Sequence, residues 1–292
     1  MTRALISPTE LSALLTDPTI VIIDTRDPES YAAGHIPGAV NIHEIFTYLA
    51  TSTPDGMTEL TQKFADAFAA AGLSGTETAV IYEQSMNTGF GQSCRGYFLL
   101  KHLGYEKVSV LHGGYQAWQA EGHAADTEVP AVKSATFPVD LAGGSLMSDV
   151  EEVKAALVDP SVVLLDVRDV DEWIGESSSP YGKDFCPRKG RLQGAVWVEW
   201  YRMMKPGQDA PMFKSKEELL AEFATVGITP TSKVIVYCFK GARASNTFLA
   251  LQEAGVSDVK IYFGSWNEWS RDPSLPIEEG YPYQMADTVA AE

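Results

Sequence analysis

One pattern of strands, turns and helices runs through the first part of this chain and then begins again near residue 146. Val162-Val-Leu-Leu-Asp166-Val-Arg168 repeats Val21-Ile-Ile-Asp24-Thr-Arg26, and Glu172-Trp173 repeats Ser30-Tyr31. Gly190-Arg191-Leu192-Gln193-Gly194-Ala195-Val196 repeats Gly34-His35-Ile36-Pro37-Gly38-Ala39-Val40. Val234 to Tyr237 repeats Ala79 to Tyr82, and the Tyr262 to Trp269 stretch repeats Leu111 to Trp118. Each copy interleaves short β-branched runs with helical stretches, the mark of a parallel sheet flanked by helices. The fold class expected is therefore α/β, with two similar domains over residues 1–125 and 146–292. A linker, residues 126–145, carries Pro130, Pro138 and the pair Gly143-Gly144, and reads as extended.

Local signals place the elements. Ser7, Pro8 and Glu10 form a capping-box pattern at the head of a helix. Helices are expected over 60–72, 91–103 and 147–157, and a buried strand over 20–24.

One position breaks the symmetry. The strand Val234–Tyr237 is followed by Cys238, then by Phe239, Lys240, Gly241 and Ala242, and Arg243 opens a helix that Gly255 stops. The equivalent strand of the first half is followed by Glu83 and a longer loop, Gln84 to Gln92. A tight strand-to-helix loop turns its N–H groups inward, and with the helix dipole it makes an anion site. A cysteine there, beside cations, has its thiolate favoured and becomes a nucleophile; the alternative is a small buried core thiol. Glu83 would repel anions, so the first domain is expected to be catalytically silent, a scaffold or one wall of a cleft.

Composition narrows the classes. The chain has 292 residues, 45% of them apolar and 21% charged, as in a soluble globular protein. No apolar run approaches a membrane span and no signal-peptide pattern opens the chain, so the cytoplasm is the compartment expected. Three widely spaced cysteines, Cys94, Cys186 and Cys238, give neither a disulfide framework nor a metal-binding pair. No metal or cofactor is expected. A net charge of −17 argues against nucleic acid and anionic membranes as partners.

The Asp-x-Arg pairs (Asp24/Arg26 and Asp166/Arg168), the Gly34 to Ala39 element, the Cys238-x4-Arg243 loop and the Gly-Ser265-Trp266-x-x-Trp269 box, in order and twice over, resemble the tandem-domain rhodanese family of sulfurtransferases. The resemblance spans nearly the whole chain. It implies an active site in the second domain near the interface and a cysteine that carries sulfur as a persulfide; a monomer is expected. Cys238 would take the outer sulfur of thiosulfate, releasing sulfite, and pass it to a thiophilic acceptor such as cyanide or a thiol. Phe239, Gly241 and Ala242 would form the loop that holds it. Lys240 and Arg243 would bind the donor's oxygens, or else stand as solvated charges.

A segment over 176–190 has no counterpart in the first half and ends in the basic run Arg188-Lys189-Gly190-Arg191. In tandem sulfurtransferases a basic residue from this region reaches toward the substrate, so the resemblance offers Arg191 and Arg188; the alternative is that they pair with carboxylates. Asp166 with Arg168 is expected to brace the sheet, Trp266 and Trp269 to pack. Cys186 is a conceivable relay thiol. Phosphatases of similar fold use Cys-x5-Arg, so the shorter loop disfavours phosphoryl transfer. Two cations in the loop favour a small dianion over 3-mercaptopyruvate. The alternatives kept are a 3-mercaptopyruvate sulfurtransferase and a persulfide or selenium carrier serving a protein partner.

Overall fold

A computed structural model describes residues 3–282. The first half contains strands β1 (Leu5–Ile6), β2 (Ile20–Asp24), β3 (Val40–Asn41), β4 (Thr78–Tyr82) and β5 (Val108–Leu111), ordered β1-β5-β4-β2-β3. The second repeats that order in β6 (Met147–Ser148), β7 (Val162–Asp166), β8 (Val196–Trp197), β11 (Lys233–Tyr237) and β12 (Asp258–Tyr262), giving β6-β12-β11-β7-β8. Every pairing within these two sheets is parallel. A short antiparallel ribbon, β9 (Met204–Lys205) with β10 (Met212–Phe213), follows a single 3-10 turn over Trp200–Met203.

The helices of the first half are α1 (Pro8–Ser12), α2 (Pro28–Ala33), α3 (Glu44–Thr47), α4 (Pro54–Ala70), α5 (Gln92–His102) and α6 (Gly114–Ala120). Those of the second are α7 (Val150–Ala156), α8 (Val170–Trp173), α9 (Lys216–Ala224), α10 (Ala242–Ala254) and α11 (Ser265–Trp269). Ser7 caps α1 in a complete capping box, as its sequence dictates. Two boundaries differ from expectation. Helix α4 starts six residues before Leu60, because Thr53 caps it and Pro54 fits its first turn. Met147 and Ser148 pair with β12 as an edge strand, and the helix behind them starts only after the Asp149 cap.

The repeat extends to individual side chains. Tyr82 donates to Asp24 at 2.5 Å, and Arg26 forks onto Asp24 and the Gly34 carbonyl. Tyr237, Asp166, Arg168 and the Gly190 carbonyl make the same knot in the second sheet. Both arginines are buried, and so are both carboxylates. A buried ion pair of this kind is held by several charge-assisted hydrogen bonds at once, and it pins each central strand to the loop beyond it.

The two halves share one hydrophobic core, built on α5 and α10 packed face to face. The Phe98 ring of α5 lies 5.0 Å from that of Phe248 on α10 and 5.5 Å from Phe263. Cys238, just after one central strand, lies in this core, and Gly91, in the loop after the other, lies against the Ala242 carbonyl. Among the described residues no helix is long and apolar enough to cross a membrane.

Candidate active site

Cys238 is the first residue after β11, and α10 begins four residues later. The loop between them closes on the sulfur: the Gly241 N–H donates to Cys238 Sγ at 3.1 Å. Gly241 stands at φ 90°, and a Cβ there would lie 2.8 Å from the Phe263 ring, so both the twist and the close approach require glycine. The other side of the loop is fixed by the second half's last helix. Trp266 N–H donates to the Cys238 carbonyl and Asn267 N–H to that of Phe239, each at 3.0 Å. Cys238 N–H reaches Ser265 Oγ at 3.3 Å. The sulfur thus sits at the amino end of a 13-residue helix, where the helix dipole and free amides favour an anion.

A cavity of about 240 Å³ opens onto Cys238. Lys240, Arg243, Phe239 and Ala242 line it from the loop, Pro180 and Tyr181 from the segment over 176–190, and Phe46 and Phe90 from the first half. Cys238 itself is 1% exposed, with its solvent contact at the base of this cavity. Among the described residues the only non-glycine backbones at positive φ are Phe90 and Ser265, both at this site. Strain of that kind persists where surrounding structure enforces it, and it concentrates at functional sites.

The charges are unequally balanced. Arg243 is buried, with a fork onto Glu172 at 2.6 and 3.1 Å and a contact to Asp169 at 3.2 Å. Burial opposes its charge, but Glu172 outweighs burial and the pKa is raised. Lys240 has no carboxylate partner among the described residues. Its ammonium lies over the Phe46 ring at 3.9 Å and near that of Tyr181 at 5.3 Å. Burial, with help from Arg95, pushes its pKa down to about 7. Arg95, on α5, is also buried without a carboxylate. It donates to the carbonyls of Ile45, Phe46 and Tyr48 and stacks 4.6 Å from Phe263. Asp169, Asp171 and Glu172 lie close enough to share an ion, but two of the three face Arg243.

Two arginines expected at the substrate are engaged elsewhere. Arg188 donates to the carbonyls of Trp269, Ser270 and Leu275, tying the segment over 176–190 to the end of α11. Arg191 is 1% exposed; it stacks 4.8 Å from Trp173 and binds the Trp173 and Gly280 carbonyls and the Glu278 carboxylate. It does there what its counterpart His35 does by stacking on Tyr31. Neither lines the cavity. Cys186 is packed in the core beside Trp266, its thiol pushed up to about 11 by burial, and it does not reach the cavity. Trp266 stacks on Arg168 and donates to the Arg188 carbonyl, a packing role.

The description "Rhodanese-like domain" matches twice, over residues 7–121 and 149–272. The chain belongs to the rhodanese family. Over 275 residues it is 30% identical to a thiosulfate sulfurtransferase of Pseudomonas aeruginosa, covering 94% of this chain and 96% of that protein. Over 285 residues it is 30% identical to the sulfur carrier protein TtuD of Thermus thermophilus, covering 95% and 97%. Among solved structures it resembles the anaerobic ergothioneine biosynthesis enzyme of Chlorobium limicola, crystallised with trimethyl histidine. That match has a TM-score of 0.80 and 26% identity, and covers 96% of this chain and 71% of that one. Rhodanese relatives over the full length are thus sulfurtransferases and sulfur carriers.

The site of this rhodanese also holds residues that its sequence did not single out. Phe90 belongs to the long loop after Glu83, and Tyr181 to the extra segment, so both carried a signal in the added length. Phe46 and Arg95 carried none, since their roles depend on which elements meet at the seam; Glu172 stood out only as part of the repeat, and its pairing with Arg243 depends on how α8 and α10 pack.

Proposed function

We propose that this rhodanese moves the outer sulfur of thiosulfate to a thiophilic acceptor through a persulfide on Cys238. The observation that carries the reading is the Gly241 N–H on Cys238 Sγ at the base of a cavity whose Lys240 lacks a carboxylate among the described residues. A thiolate at Sγ attacks the outer sulfur, the S–S bond to the sulfite group breaks, and sulfite leaves with that electron pair. The loop amides and helix dipole stabilise negative charge on Sγ and on the sulfur it then carries. Lys240 faces the oxygens of the dianion; Arg243, held by Glu172, adds field and fixes the loop. The first domain, residues 1–125, has no nucleophile at Glu83 and supplies a wall.

Similarity to a sulfur carrier favours a second reading, in which a protein takes the sulfur. Mass spectrometry after incubation with thiosulfate or 3-mercaptopyruvate tests the function. One added sulfur atom on Cys238, absent in Cys238→Ser, is expected with thiosulfate. No added sulfur from either donor overturns the assignment, and sulfur from mercaptopyruvate alone overturns the donor.

A further inference from the structure

The segment over 176–190 sends Arg188 away from the cavity and turns an apolar side toward it. Tyr181 lies 5.0 Å from the Phe239 ring, and Phe185 packs 5.6 Å from Tyr181 and 6.4 Å from Phe239. Opposite them the first half presents Phe90, which rests against Trp200 at 5.7 Å. Five aromatic side chains are exposed among the described residues, and three of them, Phe90, Tyr181 and Phe185, form this collar. Phe90 is 45% exposed although its backbone is held at φ 55°. A bulky apolar ring left nearly half in water on a strained backbone is unfavourable for folding alone, so the strain marks use.

Thiosulfate is small and doubly charged, and it has no apolar surface for this collar to cover. Taking Cys238 to be the sulfur-bearing nucleophile, the geometry points to an acceptor subsite between Phe90 and Tyr181 that takes a small organic thiol with an apolar body. The cavity is amphipathic in the matching sense. Its floor carries Lys240 and Arg243, which attract the thiol as its sulfur becomes negative, and its mouth is apolar. A volume of about 240 Å³ holds a single ring or a short chain, with Cys238 beneath it. In the transfer, the thiol sulfur bonds to the outer sulfur of the Cys238 persulfide anion. The bond from that sulfur to Sγ breaks, its electron pair stays on Sγ, and the thiol proton passes to Sγ. The products are an organic persulfide anion and the Cys238 thiol.

The test uses the full chain, loaded with thiosulfate and freed of excess donor, with sulfur on Cys238 verified by mass. Its discharge by 2-phenylethanethiol is compared with that by 2-mercaptoethanol, each rate divided by the same thiol's rate on a small disulfide in solution. Burying one ring predicts a preference for the phenyl thiol of about tenfold or more. In Phe90→Ala with Tyr181→Ala the preference collapses toward one, whereas Phe90→Leu keeps part of it. A wild-type ratio of one overturns the inference, as does an undiminished ratio in the double variant. Discharge by a protein thiol alone, with both small thiols inert, also overturns it. If thiosulfate leaves no sulfur on Cys238, the underlying function fails at the loading step, before any thiol is added.

Discussion

Glu83 Oε2 accepts a 2.7 Å hydrogen bond from the Gln92 N–H in the first sheet, at the place where Cys238 Sγ accepts the Gly241 N–H in the second. Both residues follow the central strand of their sheet, and both carbonyls are held alike: Tyr115 N–H donates to Glu83 at 2.9 Å, Trp266 N–H to Cys238 at 3.0 Å. One frame therefore surrounds a carboxylate and its copy a thiol. The carboxylate fills its own loop so closely that a Cβ at Gly89 would lie 2.3 Å from Glu83 Oε2. The loop so held carries Phe90 to the cavity mouth and presses Gly91 against the Ala242 carbonyl. The half that has Glu83 in place of the cysteine supplies Phe46 and Phe90 to the cavity beside Cys238.

Glu83 predicts a dependence of stability on pH. Burial raises its pKa to about 7 from an ordinary 4.5. Across that interval the folded chain keeps a proton that the unfolded chain releases, so stability falls as pH rises from 4.5 through 7. Glu83→Gln keeps an acceptor for Gln92 and cannot ionise. Between pH 5 and pH 8 the variant should gain about 2–3 kcal/mol relative to wild type in urea unfolding. A constant difference between the two proteins across that range would count against a buried, titrating Glu83.

The Arg243–Glu172 fork predicts a steep cost for breaking it one-sidedly. Both groups are buried, and Glu172→Gln leaves the guanidinium with only the half-exposed Asp169 nearby. A loss of about 3 kcal/mol is expected. Replacing both residues by methionine should recover much of it, because no charge is then left without a partner. Chemical denaturation of the three variants measures the coupling; a small loss for the single change would mean that Asp169 alone suffices.

These pairings mark where the sequence was readable. The duplicated sheets rest on strands whose β-branched runs and repeated Asp-x-Arg knots are local, and the Cys238 loop is six residues long; both could be read directly. The arginines could not. The family resemblance offered Arg188 and Arg191 to the substrate, yet their partners include the carbonyls of Ser270, Leu275 and Gly280 and the Glu278 carboxylate, about eighty or ninety positions away. Conversely, Arg95 sits in an ordinary helix and acquires a role only because α5 packs against the α3 carbonyls and Phe263. Long-range burial decides which cations are spent on structure, and no periodicity encodes it.

Lys240 predicts how donor affinity varies with pH. With its pKa near 7, the ammonium is charged below neutrality and neutral above it. The KM for thiosulfate should therefore rise several-fold between about pH 6 and pH 8.5. In Lys240→Arg the charge persists throughout that range, and KM should stay flat. Steady-state sulfite release across pH distinguishes the two; equal slopes for both proteins would remove Lys240 from donor binding.

Arg95 extends that prediction across the domain seam. Its guanidinium fixes the carbonyls of Ile45, Phe46 and Tyr48, and so sets the ring on which the Lys240 ammonium rests. It also stacks on Phe263, whose ring closes against Gly241. A further cation near Lys240 helps to hold the lysine's pKa down, after burial. Arg95→Met removes charge and clamps together, and a destabilisation of a few kcal/mol is expected from the freed carbonyls. Destabilisation alone would not move a titration. The loss of a neighbouring positive charge would, shifting the midpoint of the KM–pH curve upward. Arg95→Lys keeps the charge while losing the fork, so its midpoint should remain near that of wild type even if its stability falls. A midpoint that moves equally in both variants, or in neither, would leave Arg95 with packing as its whole role.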